Sequence, residues 1–307
     1  MSYSIFINLV EELVKNLPES NETQKLDLVL DNGAFNGLYL YGMALYLKNL
    51  EAKGRIKINR ISGTSIGSFI AILYLTDKLD ISKSVFDKMR GCWKEHMNLY
   101  EWKEVIKNYI ENELTMDIIN SKINGRIYIN YFNTKTCKET IKSVFDSKEE
   151  LLDTLYKSSF IPILSNGDLA YNDCIDGCNP SLFDERTNED NKCLFIHLFN
   201  FDKLMKSFNV ATDKNVSFRT IEGINEIHKF FIGDNQTLCS YINDWSAKQL
   251  FYFRCRQIVY YVIVYMIKLL IILKSYIPDT MYDMPIYNLV SQMSRNLFKD
   301  VVLNMCF

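Results

Sequence analysis

Between residues 55 and 76 the spacing of apolar positions changes period within a few residues. Ile56 and Ile58 alternate with polar neighbours as a half-buried strand does, and beyond Gly63-Thr64-Ser65-Ile66-Gly67 an apolar run reads as a buried helix over 66–76. The same change occurs upstream. Leu26-Asp27-Leu28-Val29-Leu30 reads as a buried strand, Asp31 to Gly37 as a small-residue turn, and a helical pattern continues to about Ala52. Ahead of both, Phe6, Val10, Leu13 and Leu17 recur at helical spacing, and Pro18 with the polar run behind it ends that helix. Strand, turn and helix repeated in this way predict a parallel sheet covered by helices, with both turns at the carboxyl ends of strands, where such sheets carry their sites.

Further along, residues 80–125 are charged and helical in pattern, with Trp93 and Trp102 as anchors. Residues 126–131 predict another strand, 140–145 a possible one, and SKEELLDTLYKSS a short helix with a serine cap and early acids. Asp184 to Lys192 reads as a solvated loop and Cys193 to Phe199 as a buried strand. The expected organisation is an N-terminal helix and linker over 1–25, a catalytic unit over 26–200, and a C-terminal helical region over 201–307.

At 307 residues with 48% hydrophobic content, the chain can bury one large core or one core with an appended unit. A net charge of −2 with acids and bases intermixed leaves no basic face for a nucleic-acid backbone, so nucleic acid is not an expected partner. Eight cysteines show no C-x-x-C pair and there are only three histidines, a composition that suits buried thiols in a reducing compartment better than zinc ligation. The start, MSYSIFINLVEELVK, lacks the basic region of a secretion signal. A cytoplasmic location is therefore expected, and the sequons at Asn21, Asn215 and Asn235 are read as chance matches.

Candidate chemistry centres on Gly63-Thr64-Ser65-Ile66-Gly67, a G-x-S-x-G between strand and helix. A sharp turn forces the serine backbone into strain, and Gly63 and Gly67 avoid the clash that a Cβ would make. Ser65 would stand at a helix N-terminus, where unpaired N–H groups favour developing negative charge. The turn at 31–37 offers a second set of backbone N–H groups. A third turn, Asp173-Cys174-Ile175-Asp176-Gly177-Cys178-Asn179-Pro180, fits a carboxylate presented at a strand end, although Asp-Gly is also a common plain turn.

In their order, these three turns resemble the patatin-like phospholipases, whose members combine a glycine-rich turn, G-x-S-x-G and D-G-[GA]. The resemblance covers roughly residues 26–200. Ser158-Ser159-Phe160-Ile161-Pro162 is similar to the family's segment before its third turn, and Asp176-Gly177 with Asn179-Pro180 to that turn itself, with Cys178 replacing a glycine. Where many members have G-G-G-x-R-G, this chain has Asn32-Gly33-Ala34-Phe35-Asn36-Gly37, so two glycines and the arginine are replaced; the following Leu38 to Gly42 is more like the adiponutrin branch. The resemblance implies a three-layer α/β/α fold with a mainly parallel sheet, and a lipid acyl hydrolase of phospholipase A or lysophospholipase type. It also implies a Ser65–Asp176 dyad, N–H groups of Gly33 and Ala34 as oxyanion hole, and Gly37 and Gly177 as supporting turn residues, with no metal or organic cofactor. Two alternatives stay open: a patatin-like fold that binds lipid or membrane with little turnover, and a triad completed by His197, His228 or His96.

Residues 257–273, QIVYYVIVYMIKLLIIL, are apolar apart from one lysine and are flanked by Arg254, Arg256 and Lys274. Seventeen residues is the lower limit for a bilayer span, and Lys268 would cost up to about 3 kcal/mol within one. The expected reading is a helix or strand pair buried against the core. An interfacial element docked on lipid, with its basic flanks at the headgroups, is the other one in view, and it suits an enzyme with a phospholipid or other acyl-ester substrate and peripheral membrane contact.

Overall fold

A computed structural model describes residues 3–18, 22–177, 179–183, 191–198, 217–234 and 236–276, with five isolated positions beyond them, at 285, 289, 292, 293 and 297. Cys178, residues 184–190 and the sequon asparagines Asn21, Asn215 and Asn235 lie outside the described residues.

In chain order the elements are α1 (Tyr3–Lys15), β1 (Gln24–Leu30), a 3-10 turn (Ala34–Asn36), α2 (Gly37–Ala52), β2 (Ile56–Gly63) and α3 (Ile66–Leu75). There follow α4 (Ser82–His96), α5 (Trp102–Glu113), the single turn α6 (Met116–Ile118), β3 (Ile127–Asn133), β4 (Lys138–Lys142) and α7 (Lys148–Ser158). The chain continues through β5 (Cys174–Asp176), β6 (Lys192–Ile196), α8 (Ser217–Phe231), β7 (Cys239–Tyr241) and α9 (Ala247–Ser275).

The strands form one sheet in the order β4-β3-β2-β1-β6-β7, with β5 also on β3. β3, β2, β1 and β6 run parallel, and β4, β5 and β7 are antiparallel additions. Helices flank this mainly parallel sheet, a three-layer α/β/α arrangement. Leu26, Leu28 and Leu30 of β1 enter the main core, whereas Val29 joins Cys193, Phe195 and Phe253 in a smaller cluster, so alternate residues of one strand feed two packed faces.

Local signals act where the sequence placed them. Ser147 caps α7 by accepting the Glu150 N–H, and Trp93 and Trp102 are buried. On α1 the buried positions are Phe6, Val10 and Val14, with Leu13 only partly buried. The segment 201–307 is not purely helical, since β7 extends the sheet beside β6 and α8 packs on α2. At that crossing the backbones touch: a Cβ on Gly42 would lie 2.1 Å from the Thr220 carbonyl oxygen.

The stretch 257–273 departs from the expected core reading. It is the greater part of α9, a helix long and apolar enough to cross a membrane, with only 11% of its most apolar window buried. Phe253, Arg256, Tyr260 and Val264 form its buried stripe at helical spacing, and Ile258, Val259, Val262 and Met266 are exposed.

Candidate active site

β2 ends at Gly63 and α3 begins at Ile66, which leaves Thr64 and Ser65 to reverse the chain direction. Ser65 adopts φ 54° and ψ −129°, a conformation that costs a non-glycine residue about 1–3 kcal/mol. A Cβ on Gly63 would lie 2.7 Å from Ser68 N, and one on Gly67 2.6 Å from the Asp31 carbonyl oxygen, so neither position has room for a side chain. The turn is held by hydrogen bonds from Gly67 N–H to Thr64 O (2.9 Å), Ser68 N–H to Ser65 O (3.0 Å) and the Ser68 hydroxyl to Ser65 O (2.6 Å). Ser158, at the end of α7, accepts the Ser65 N–H at 3.0 Å.

The first turn lies alongside. Ala34 is left-handed at φ 46°, and Asn36 N–H closes onto Gly33 O at 2.8 Å. Among the described residues the N–H groups of Gly33, Ala34 and Ile66 donate to no protein acceptor. Gly37 opens α2 against the elbow, since a Cβ there would lie 2.4 Å from Ile66 Cγ1. Ala34 and Ser65 line one narrow cleft, partly open to solvent, walled by Phe35, Val85, Phe86, Met89, Leu99 and Trp102. Ser159 joins this wall, its hydroxyl held by Trp102 Nε1 at 2.7 Å.

Strand register brings the third turn to the elbow. Gly63 pairs with Ile129 and Asp176 with Tyr131, both on the edge of β3 opposite β4. β2 and β5 therefore face each other end to end along β3, with Gly63 and Asp176 about 7 Å apart at two residues of strand rise. Gly177 confirms the approach: a Cβ there would lie 2.8 Å from Thr64 Oγ1 and 2.7 Å from Asn130 O. Asn130 Nδ2 bridges this turn to β4 by donating to Asn179 O and, at 2.6 Å, to Glu139. Burial pushes the Glu139 carboxyl up, and the Asn130 hydrogen bond opposes that shift. Asp176 does not itself line the apolar cleft.

The histidines sit elsewhere. His228 shares a 2.9 Å hydrogen bond with Tyr46 on the α2–α8 packing face, and burial lowers its pKa. His96 is exposed at the end of α4. His197 stacks on Phe195 and lines a separate hollow with Lys248 and Arg256. None of the three lines the Ser65 cleft. Among the described residues no three His, Cys, Asp or Glu side chains converge as metal ligands would.

Sequence reasoning missed the residues that brace the first turn. The Asp31 carboxylate, fully buried, accepts Asn32 N–H at 3.0 Å and Leu198 N–H at 3.0 Å, and it is gripped by both prongs of the Arg256 guanidinium from α9. Arg219 of α8, also buried, donates to Asn36 Oδ1 at 2.9 Å. The Tyr260 hydroxyl of α9 donates to the Asp176 carbonyl oxygen. In the sequence the one signal of this brace is an arginine at the head of an apolar run, which a basic headgroup flank would explain equally well.

No family model and no curated protein sequence matches the chain. Among solved structures the chain is similar to VipD from Legionella pneumophila, at 15% identity and a TM-score of 0.31; the match covers 59% of this chain and 55% of that one. The chain thus spans about half the length of that relative. Likeness at this level carries no argument about the site, and the patatin-like pattern of the three turns stays a resemblance.

Proposed function

We propose that the chain is a serine acyl hydrolase acting on acyl-ester lipids, with Ser65 as nucleophile and Asp176 as its proton acceptor. The observation that carries this reading is the strained elbow: Ser65 is held at φ 54° on the wall of an apolar cleft. Strain at a strand–helix turn beside a cleft is what a presented nucleophile requires, and it supports a catalytic role for Ser65 over a plain glycine turn.

In the proposed reaction Ser65 Oγ attacks the ester carbonyl as its proton passes to Asp176, and the N–H groups of Gly33 and Ala34 hold the oxyanion. Collapse expels the alcohol, which takes the proton from Asp176. The acyl-enzyme is then cleaved by water that Asp176 deprotonates, and Asp176 passes that proton to Ser65 Oγ as the carboxylic acid leaves. Phe35, Phe86, Met89 and Trp102 give the acyl chain an apolar bed. Each oxyanion donor is worth on the order of 3 kcal/mol in the transition state.

The exposed side of α9 supplies the contact with lipid. Its large apolar side chains face outward among the described residues, with Lys248, Arg254 and Lys274 on the same helix for anionic headgroups. The inward contacts of Arg256, Tyr260 and Val264 hold the helix along the protein, which favours lying on a membrane over crossing it. In this reading the enzyme works peripherally at membranes, in the cytoplasmic location expected from the sequence.

A fluorophosphonate probe tests the reading. Labelling is expected at Ser65 in the purified chain and not in Ser65→Ala, and a wild-type chain that stays unlabelled overturns it.

A further inference from the structure

Two side chains on the buried stripe of α9, four residues apart, reach two different parts of the reaction centre. Arg256 spans the first turn, with Nη1 2.7 Å from Asp31 Oδ2, Nη2 on Asp31 Oδ1 and Nη2 3.4 Å from Asn32 Oδ1. Tyr260 places its hydroxyl on the carbonyl oxygen of Asp176. The opposite side of the Asp176 peptide is held as well, because its N–H donates to Phe160 O at 2.9 Å.

Asp31 is the joint of this arrangement. Its carboxylate binds the first turn through Asn32 N–H and the end of β6 through Leu198 N–H, while its carbonyl oxygen lies against Gly67 of the elbow. The Arg256–Asp31 pair is neutral overall and both side chains are buried, at 6% and 0% exposure. It therefore adds little net field at the cleft and acts through geometry. A guanidinium fork fixes direction as well as distance, which a single ammonium does not. Four residues of helix set the two anchors about 6 Å apart along the axis.

Building on the acyl-hydrolase reading, we propose that Arg256 and Tyr260 are positioning residues that hold the oxyanion turn and Asp176 at their working separation, so that the site is complete only with α9 docked. The helix that carries the outward apolar face also sets the geometry of catalysis.

The test uses the full 307-residue chain, p-nitrophenyl butyrate as soluble substrate, a fluorophosphonate probe and thermal unfolding. Arg256→Lys keeps the charge on Asp31 without the fork, and Asp31→Asn with Arg256→Met removes both charges together. Expected for each is a kcat lower by about 10- to 100-fold, KM within about twofold, and slower labelling of Ser65. The double variant is expected to unfold close to the wild-type temperature, because no lone buried charge remains. Tyr260→Phe, which keeps the ring and removes only the hydroxyl, is expected to lower kcat by about 5- to 10-fold. A folded double variant with wild-type kcat overturns the proposal. If the double variant does not fold, wild-type kcat in Tyr260→Phe overturns it. A labelled wild-type chain keeps this outcome separate from failure of the hydrolase reading, since an unlabelled wild type overturns both.

Discussion

The elbow and the first turn face the same cleft but are held by opposite means. The bonds that turn the elbow close between Thr64 and Ser68, with one long-range addition from Ser65 N–H to Ser158 Oγ, and its glycines lie within the same few residues. The first turn takes its shape from Leu198, 167 residues from Asp31, from Arg219, 183 residues from Asn36, and from Arg256, 225 residues from Asp31. The elbow is shaped mainly by near neighbours, with Gly63 excluded from a side chain by Ser68 and Gly67 themselves, while Gly67 also answers to the Asp31 carbonyl of the first turn. The first turn, with Asn32, Ala34 and Asn36 where the resembled family has two glycines and an arginine, relies on tertiary contacts, which makes it the part of the proposed site most sensitive to the rest of the chain.

That contrast can be broken at several points. The largest effect belongs to Gly67→Ala, where the new methyl meets the Asp31 carbonyl oxygen at 2.6 Å. Ester hydrolysis should fall about 100-fold or more as the elbow shifts, in a steady-state assay. Next is the long-range brace. Arg256→Met leaves the 0% exposed Asp31 carboxylate without its cation, and urea denaturation should show a loss of about 3–5 kcal/mol. A change under 1 kcal/mol would mean that the first turn needs no brace from α9.

Smaller effects separate the two faces of α9. Ile258→Glu with Val262→Glu, at positions 61% and 57% exposed, should weaken flotation with anionic liposomes several-fold and leave hydrolysis of a soluble ester within about twofold. Unchanged flotation would remove the membrane role from this helix. The smallest concerns His228, whose folded-state pKa is lowered from 6.5 by burial. The unfolded chain then binds the proton more readily, so its contribution is present above pH 6.5 and is lost as pH falls below it. His228→Gln should flatten this part of the pH–stability curve and leave turnover unchanged.

Legibility in the sequence follows the same division. β1, β2, α2 and α3 could be read because period and turn chemistry act over a few residues, and the elbow because two glycines four positions apart have a steric reason. β5 and β7, three residues each, carry too little pattern to betray their antiparallel pairing. The register that brings Asp176 beside Gly63 is a property of β3 and its partners, and no spacing within Asp173 to Pro180 encodes it. α9 was ambiguous for another reason: apolar side chains all around a helix serve a core, an interface or a span equally well, and Arg256 and Tyr260 find their partners only once the sheet has formed. Motif order points to Ser65 and Asp176 as the proposed pair, whereas the contacts of Arg256 and Tyr260 beside them are a product of the fold.

Turnover of a soluble short-chain ester by the purified chain, beside Ser65→Ala and Asp176→Asn, tests the central claim most directly. The dyad predicts that each variant keeps its unfolding temperature and loses about 1,000-fold or more in kcat. A folded Asp176→Asn protein that hydrolyses the ester at the wild-type rate contradicts it.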